Sequence, residues 1–194
     1  MDYSFYALIS RMRNINRWAL MRNSFPENIQ EHSHMVAVIA HCLAVIRQSV
    51  YGIPCNADRV ASVALFHDSS EIFTGDMPTP IKYFNPEIMT AYKQVEELAS
   101  EKLLKTLPDE LVPAYRELLL NEEKDIHDIV KAADKLSAYI KCLEELKSGS
   151  TEFKLAASQT LEKLKALNMP EVDYFLENFI GAFELTLDEL NFNI

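Results

Sequence analysis

Val63-Ala64-Leu65-Phe66-His67-Asp68-Ser69-Ser70-Glu71 runs from small and apolar residues into a histidine and an aspartate side by side, with Thr74-Gly75-Asp76 just behind. A buried helix that ends in His-Asp delivers two metal-binding side chains at once. On a regular helix adjacent residues point about 100° apart. His67 and Asp68 therefore converge on one ion only where the backbone leaves helical regularity. The polar Ser69-Ser70-Glu71 that follows fits such an end.

Two other segments offer partners. His32 lies in Asn28-Ile29-Gln30-Glu31-His32-Ser33, and Asp134 in Val130-Lys131-Ala132-Ala133-Asp134-Lys135. Together the four supply two imidazoles and two carboxylates, a donor set suited to a divalent transition metal with positions left for water. Taken singly, each has a plainer reading, since a lone His-Asp pair is common. Their strength lies in their placement on three apolar helical patterns. His34, His41 and His127 read as surface or core histidines outside this set.

Two further groups look chemical. Glu71 stands three residues past Asp68, within reach of a water on the metal, which it could orient or deprotonate. Arg17 could present its planar fork to a phosphate. Alone, Glu71 reads more simply as a helix-surface charge and Arg17 as a surface arginine. Trp18 alone reads as core.

The periodicity predicts an all-α chain. Phe5, Leu8, Ile9 and Met12 mark a helix over 2–13, and 14–23 is an ordered loop carrying Arg17 and the only tryptophan. Asn28 is an N-cap with Glu31 as its capping-box partner, opening a helix to about 48. Asn56 caps a helix over 57–67, and 69–73 holds one more turn. The glycine and prolines of Thr74-Gly75-Asp76-Met77-Pro78-Thr79-Pro80 make a loop. Asn85-Pro86 opens a helix to about 105. Further helices are expected over 108–120, 125–147, 151–166 and 172–182. No segment alternates as a strand does, and no repeat or linker divides the chain, so one domain over 1–194 is expected.

Composition agrees. The four glycines are few beside the usual ~7%. A net charge of -10 argues against a nucleic-acid polymer as partner but leaves room for a small anion. Cys42, Cys55 and Cys142 form no CxxC pair, and Cys42 and Cys142 read as buried thiols. The start lacks the pattern of a signal peptide, and the most apolar run, 35–46, is short for a membrane span. A cytoplasmic protein with no membrane partner is expected.

The motifs also resemble a known family. The spacing of His32, His67-Asp68 and Asp134 is similar to that of the HD-domain metal phosphohydrolases. Ile15-Asn16-Arg17-Trp18-Ala19-Leu20-Met21-Arg22-Asn23, Glu27-Asn28 through Glu31-His32-Ser33, His67-Asp68-Ser69-Ser70-Glu71, Thr74-Gly75-Asp76-Met77-Pro78-Thr79-Pro80 on to Asn85, and Ala138-Tyr139-Ile140-Lys141-Cys142-Leu143-Glu144-Glu145-Leu146 resemble the bacterial 5′-deoxynucleotidases of the YfbR type over essentially the whole chain. The resemblance implies an HD-domain helical bundle that hydrolyses deoxyribonucleoside 5′-monophosphates. It implies a divalent metal (cobalt, manganese, nickel, iron or copper) on His32, His67, Asp68 and Asp134, with Glu71 assisting the attacking water. It implies Arg17 on the phosphate, Trp18 against the sugar 2′ position and Asp76 on the 3′-hydroxyl. Thr79 and Pro80, with His32 and Asp134, are implied on the substrate side, and the molecule is implied to be a homodimer. Departures such as Ser69 and Met77 lie where they should not touch chemistry. The competing readings are an HD phosphohydrolase acting on triphosphates or cyclic nucleotides, which would need more cations than Arg17, Arg22 and Lys82, and a non-catalytic metal or nucleotide sensor.

Overall fold

Side-chain caps decide where the main helices begin. The computed structural model describes residues 3–82, 84–121 and 123–191, and among them no strand occurs; Asn16 and Asn28 form one isolated antiparallel bridge. Helix α1 (Phe5–Ile9) tightens into a 3-10 helix at Ser10–Asn14. Then follow α2 (Ile29–Ser49), α3 (Ala57–Phe66), α4 (Glu71–Thr74), α5 (Thr79–Lys82), α6 (Pro86–Leu104), α7 (Val112–Leu119), α8 (Lys124–Lys147), α9 (Lys154–Lys165) and α10 (Pro170–Asn178). A second 3-10 helix, Ile180–Glu184, leads to α11 (Leu187–Asn191). The side chain of Thr79 lies outside the described residues, as does Tyr83.

The Asn28 side chain accepts from the Glu31 backbone N–H at 3.0 Å, and Glu31 accepts from the Asn28 N–H at 3.2 Å, closing the expected capping box. Asn56 and Asn85 cap α3 and α6 in the same way. The expected helix over 2–13 is instead split. Ser10 Oγ donates to Ala7 O, and the Ser10 carbonyl accepts from Arg13 Nε, local bonds that compete with the helical ladder. The expected helix over 172–182 begins earlier, with Pro170 at its first turn, and stops at Asn178. Helix α11 was not anticipated, although Thr186 and Glu189 close a capping box there.

Helix α2 is the central element. Val36, Ile39, Ala40 and Leu43 meet Val60, Val63 and Ala64 of α3 and Ile129, Ala133, Leu136 and Ile140 of α8. The alanines let the backbones approach closely, because interaxial distance follows side-chain size at the contact. By length and apolarity α2 could span a membrane, but 56% of its most apolar window is buried inside this bundle. Leu164, Val172 and Phe175 close the core from α9 and α10. Glu171, fully buried, faces Arg47 Nε of α2 at 3.3 Å and ties the C-terminal helices to the centre. A smaller cluster around Phe5, Leu103, Leu104 and Leu107 joins α1 and α6, with Phe66 and Tyr115 against it.

His32 sits one turn inside α2, so the cap at Asn28 bears on the site as well as on the fold. Asn28→Ala should cost about 1 kcal/mol. A lowered urea midpoint with an unchanged m-value is the expected result.

Candidate metal and phosphate site

The end of α3 supplies the irregularity that the sequence demanded. His67 is its C-cap, and its backbone N–H reaches back only three residues, to Ala64 O. Ser69 N and Glu71 N likewise bond to Phe66 O and Asp68 O, so the chain turns tightly through Asp68–Ser70 before α4. Ser69 is buried and its hydroxyl donates to Phe66 O at 2.7 Å, holding the turn rather than facing the site. Gly75 ends α4 at φ 70°, a conformation costly for residues with a Cβ, and releases the chain toward Asp76.

His32, His67 and Asp68 bring three ligand atoms within 4.8 Å of one another. Asp68 Oδ2 lies 3.1 Å from His67 Nε2 and 3.6 Å from His32 Nε2. Asp134 Oδ1, from α8, lies 3.1 Å from His32 Nε2. Two donors each about 2.1 Å from one ion, with an angle of roughly 95–120° between them, would be about 3.1–3.6 Å apart. The spacings therefore suit one shared cation.

The imidazoles are turned toward that point by their other nitrogens. His67 Nδ1–H donates to Ala64 O at 2.7 Å; a carbonyl only accepts, so neutral His67 carries its lone pair on Nε2. His32 Nδ1 pairs with Ser137 Oγ at 3.2 Å. Both Nε2 atoms are buried without a hydrogen bond. Buried nitrogens facing carboxylates, each oriented by a partner on its far side, form the arrangement a metal requires.

The charges respond to this crowding. Burial would lower the His67 pKa, but the negative charge of Asp68 3.1 Å away, with Asp134 adding, raises it to about 9. Burial would raise Asp68, yet His67 and His32 hold it well below the usual carboxylate range. Burial, then the negative charges of Asp68 and Asp76, push the Glu71 carboxyl far above that range; Lys82 and Arg17 pull the other way. Glu71 is buried, and its Oε2 has no hydrogen-bond partner.

Arg17 stands at the edge of the cluster, with Nη2 4.0 Å from Asp134 Oδ1. Burial would lower its pKa, but Glu27, Asp134, Asp68 and Asp76 together keep it firmly charged. Burial raises the Asp76 carboxyl, against which Arg17 pulls while Asp68 adds to the rise. Trp18 neighbours Arg17 and packs on Phe153, with ring centroids 5.4 Å apart. Its backbone is left-handed at φ 58°, which costs an L-residue about 1–2 kcal/mol. Pro80 is exposed on α5 and has no polar atom to bring to the cluster.

Several supporting residues escaped the sequence reading. Ser137, one turn beyond Asp134 on α8, orients His32. Further along the same stripe, Lys141 and Glu145 are buried. Glu145 accepts from the backbone N–H groups of Ser24 and Phe25 at 2.7 and 3.1 Å, and Lys141 donates to Glu145 and to Phe25 O. The pair clamps the far end of the Arg17–Trp18 loop to α8. Polar residues at core spacing within an apolar helix were the available signal.

Helices that bring a His…His-Asp set together, with an aspartate from a third helix beside the first histidine, are the arrangement of HD-domain phosphohydrolases. An HD-domain phosphohydrolase from Listeria innocua superposes with a TM-score of 0.80 at 25% identity, over 93% of this chain and 88% of that one. A cyanophage S-2L HD phosphohydrolase, solved with dA and one catalytic zinc ion, shares the fold at a TM-score of 0.65 and 20% identity, over 93% of this chain and 99% of its own. Residues 4–183 match the family model described as 5′-deoxynucleotidase YfbR-like. A 5′-deoxynucleotidase of Photorhabdus temperata is 48% identical over 193 residues, 98% of each chain, and one of Vibrio vulnificus is 47% identical over 189 residues, 96% of this chain and 97% of its own. This chain belongs to the YfbR-like 5′-deoxynucleotidase family.

If His67 ligates a metal, it must lose the proton it holds below about pH 9, so metal binding at pH 7 should release about one proton per ion from His67, with a proton lost by Glu71 adding to the total. Apparent affinity should rise with pH and level off near pH 9. Manganese titrations by calorimetry in buffers of differing ionisation enthalpy measure the released proton directly.

Proposed function

We propose that the site hydrolyses deoxyribonucleoside 5′-monophosphates to deoxynucleoside and phosphate. The observation that carries the reading is the pair of buried, unbonded Nε2 atoms at coordination spacing from Asp68 and Asp134, with one guanidinium at the cluster's edge. His32, His67, Asp68 and Asp134 would hold a divalent transition metal, and two imidazoles with two carboxylates suit cobalt, manganese, nickel, iron or copper. Such an ion supplies Lewis acidity, lowering the pKa of water at the site and drawing charge from the phosphoryl oxygens.

The chain's own residues do the rest. Arg17 binds the phosphate dianion and orients it with its planar fork. Glu71 accepts a proton from the attacking water. Water oxygen bonds to phosphorus, the P–O5′ bond breaks, and a proton returns to the departing 5′-oxygen. Burial, and then the charges of Asp68 and Asp76, hold Glu71 protonated, and Glu71 would serve as the base once a bound cation offset those charges. Asp76 accepts from the 3′-hydroxyl, and Trp18 fills the space that a 2′-hydroxyl would need. The cation count favours a monophosphate: Lys82 is engaged with Glu96 at 2.8 Å, which leaves Arg17 as the principal cation beside the cluster.

Two measurements test this reading. Glu71→Gln should keep metal and dAMP binding while lowering kcat by about 10²–10⁴-fold, the usual weight of a proton-transfer group. Loss of bound metal in this variant would make Glu71 a ligand instead. Wild type should prefer dAMP to AMP in kcat/KM, and Trp18→Ala should narrow the gap mainly by admitting AMP. Equal wild-type rates on the two nucleotides would refute the deoxynucleotidase reading.

A further inference from the structure

We infer that Glu27 is a specificity-positioning residue, holding Arg17 and Trp18 as one rigid unit. The inference rests on the substrate reading above for its consequence, but its structural basis is independent of it. A single carboxylate oxygen, Glu27 Oε2, accepts from Arg17 Nη1 at 3.2 Å and from the Trp18 indole Nε1–H at 2.9 Å. The backbone repeats the link, since Arg17 N–H donates to Glu27 O at 2.9 Å. Glu27 and Arg17 are both largely withdrawn from water, with side chains 16% and 13% exposed.

Trp18 needs such a hold. Its left-handed backbone is an unfavourable state for a bulky residue and persists only when its surroundings over-determine it. Three contacts fix it. Its carbonyl accepts from Met21 N–H and from Asn23 Nδ2, its ring lies on Phe153, and its indole N–H ends on Glu27. The first sets the backbone and the second leaves the ring free to slide. Only the third fixes the rotation of the indole, and it ties that rotation to the cation beside Asp134. Sugar and phosphate recognition thus share one anchor. Steric exclusion of a 2′-hydroxyl works only if the ring cannot yield, so selectivity should depend on Glu27 although Glu27 need not touch the substrate.

Trp18 is the only tryptophan, so its emission reports on this contact without reference to catalysis. The test compares wild type with Glu27→Ala, Glu27→Asp and Glu27→Gln, each checked for folding by circular dichroism. Alanine removes the anchor and aspartate draws it back by one methylene. Both should shift the emission to longer wavelength, ease acrylamide quenching, and lower the dAMP/AMP ratio of kcat/KM about tenfold, the weight of a relieved overpacking clash. Glutamine keeps an acceptor oxygen at the same reach and should restore both the emission and the ratio. An unchanged emission and quenching in folded Glu27→Ala and Glu27→Asp would overturn the hold on Trp18. An unchanged ratio, in an enzyme whose wild type does discriminate, would overturn the specificity role alone. Equal rates on dAMP and AMP in wild type would instead overturn the substrate reading and the specificity role with it, and leave the fluorescence result to decide the hold.

Discussion

Two imidazole nitrogens buried without a hydrogen bond, against two carboxylates, set the terms for this molecule. Burial penalises both the charged acid and the unpaired nitrogen. The fold offsets this by balancing charges: His67 takes up a proton, Arg17 faces four carboxylates, and Glu71 gives up its charge. On the proposed reading, a divalent cation would resolve the same conflict more completely, because it would satisfy the nitrogens and the acids together. The three helices that meet there, α2, the end of α3 and α8, are also the three that build the main core. Packing and ligation therefore constrain the same geometry.

How far the sequence revealed this depended on the range of each interaction. The capping boxes and caps at Asn28, Asn56 and Asn85 are written within four residues, and the helices open where those residues say. His67-Asp68 was legible because an apolar run into adjacent ligands implies a helix end. That His32 meets His67-Asp68 was legible from residue types, while the position of Asp134 beside His32 needed the fold. The Lys141–Glu145 clamp was hidden for a physical reason. An i,i+4 charge pair on a helix ordinarily reads as solvated surface, and its true partners, the Ser24 and Phe25 backbones, lie far away in sequence. Glu27 stands in a stretch that carries the family resemblance, but its contacts were hidden for the same reason: nothing local distinguishes a carboxylate that holds two neighbours from one that faces water.

The loop over 14–28 shows how irregular backbone is made dependable. It has few regular hydrogen bonds, yet the Asn16–Asn28 bridge closes its base, Glu27 joins its two functional side chains, and Glu145 holds its far end. Such over-determination is what the steric purpose proposed for the strained Trp18 would require. A loop free to relax would move the ring and lose the contact.

Helix α8 sets a limit on how the molecule can diverge. Asp134, Ser137, Lys141 and Glu145 follow at intervals of three, four and four residues, so one face, over a rise of about 16 Å, addresses the His–Asp cluster at one end and the Arg17–Trp18 loop at the other. Substitutions elsewhere around this helix leave that phase intact. Insertion or deletion of a single residue between Asp134 and Glu145 would rotate one end against the other by about 100° and separate the two functions. Descendants of this sequence can vary widely in composition here, but the length of this segment is fixed for as long as both ends are in use.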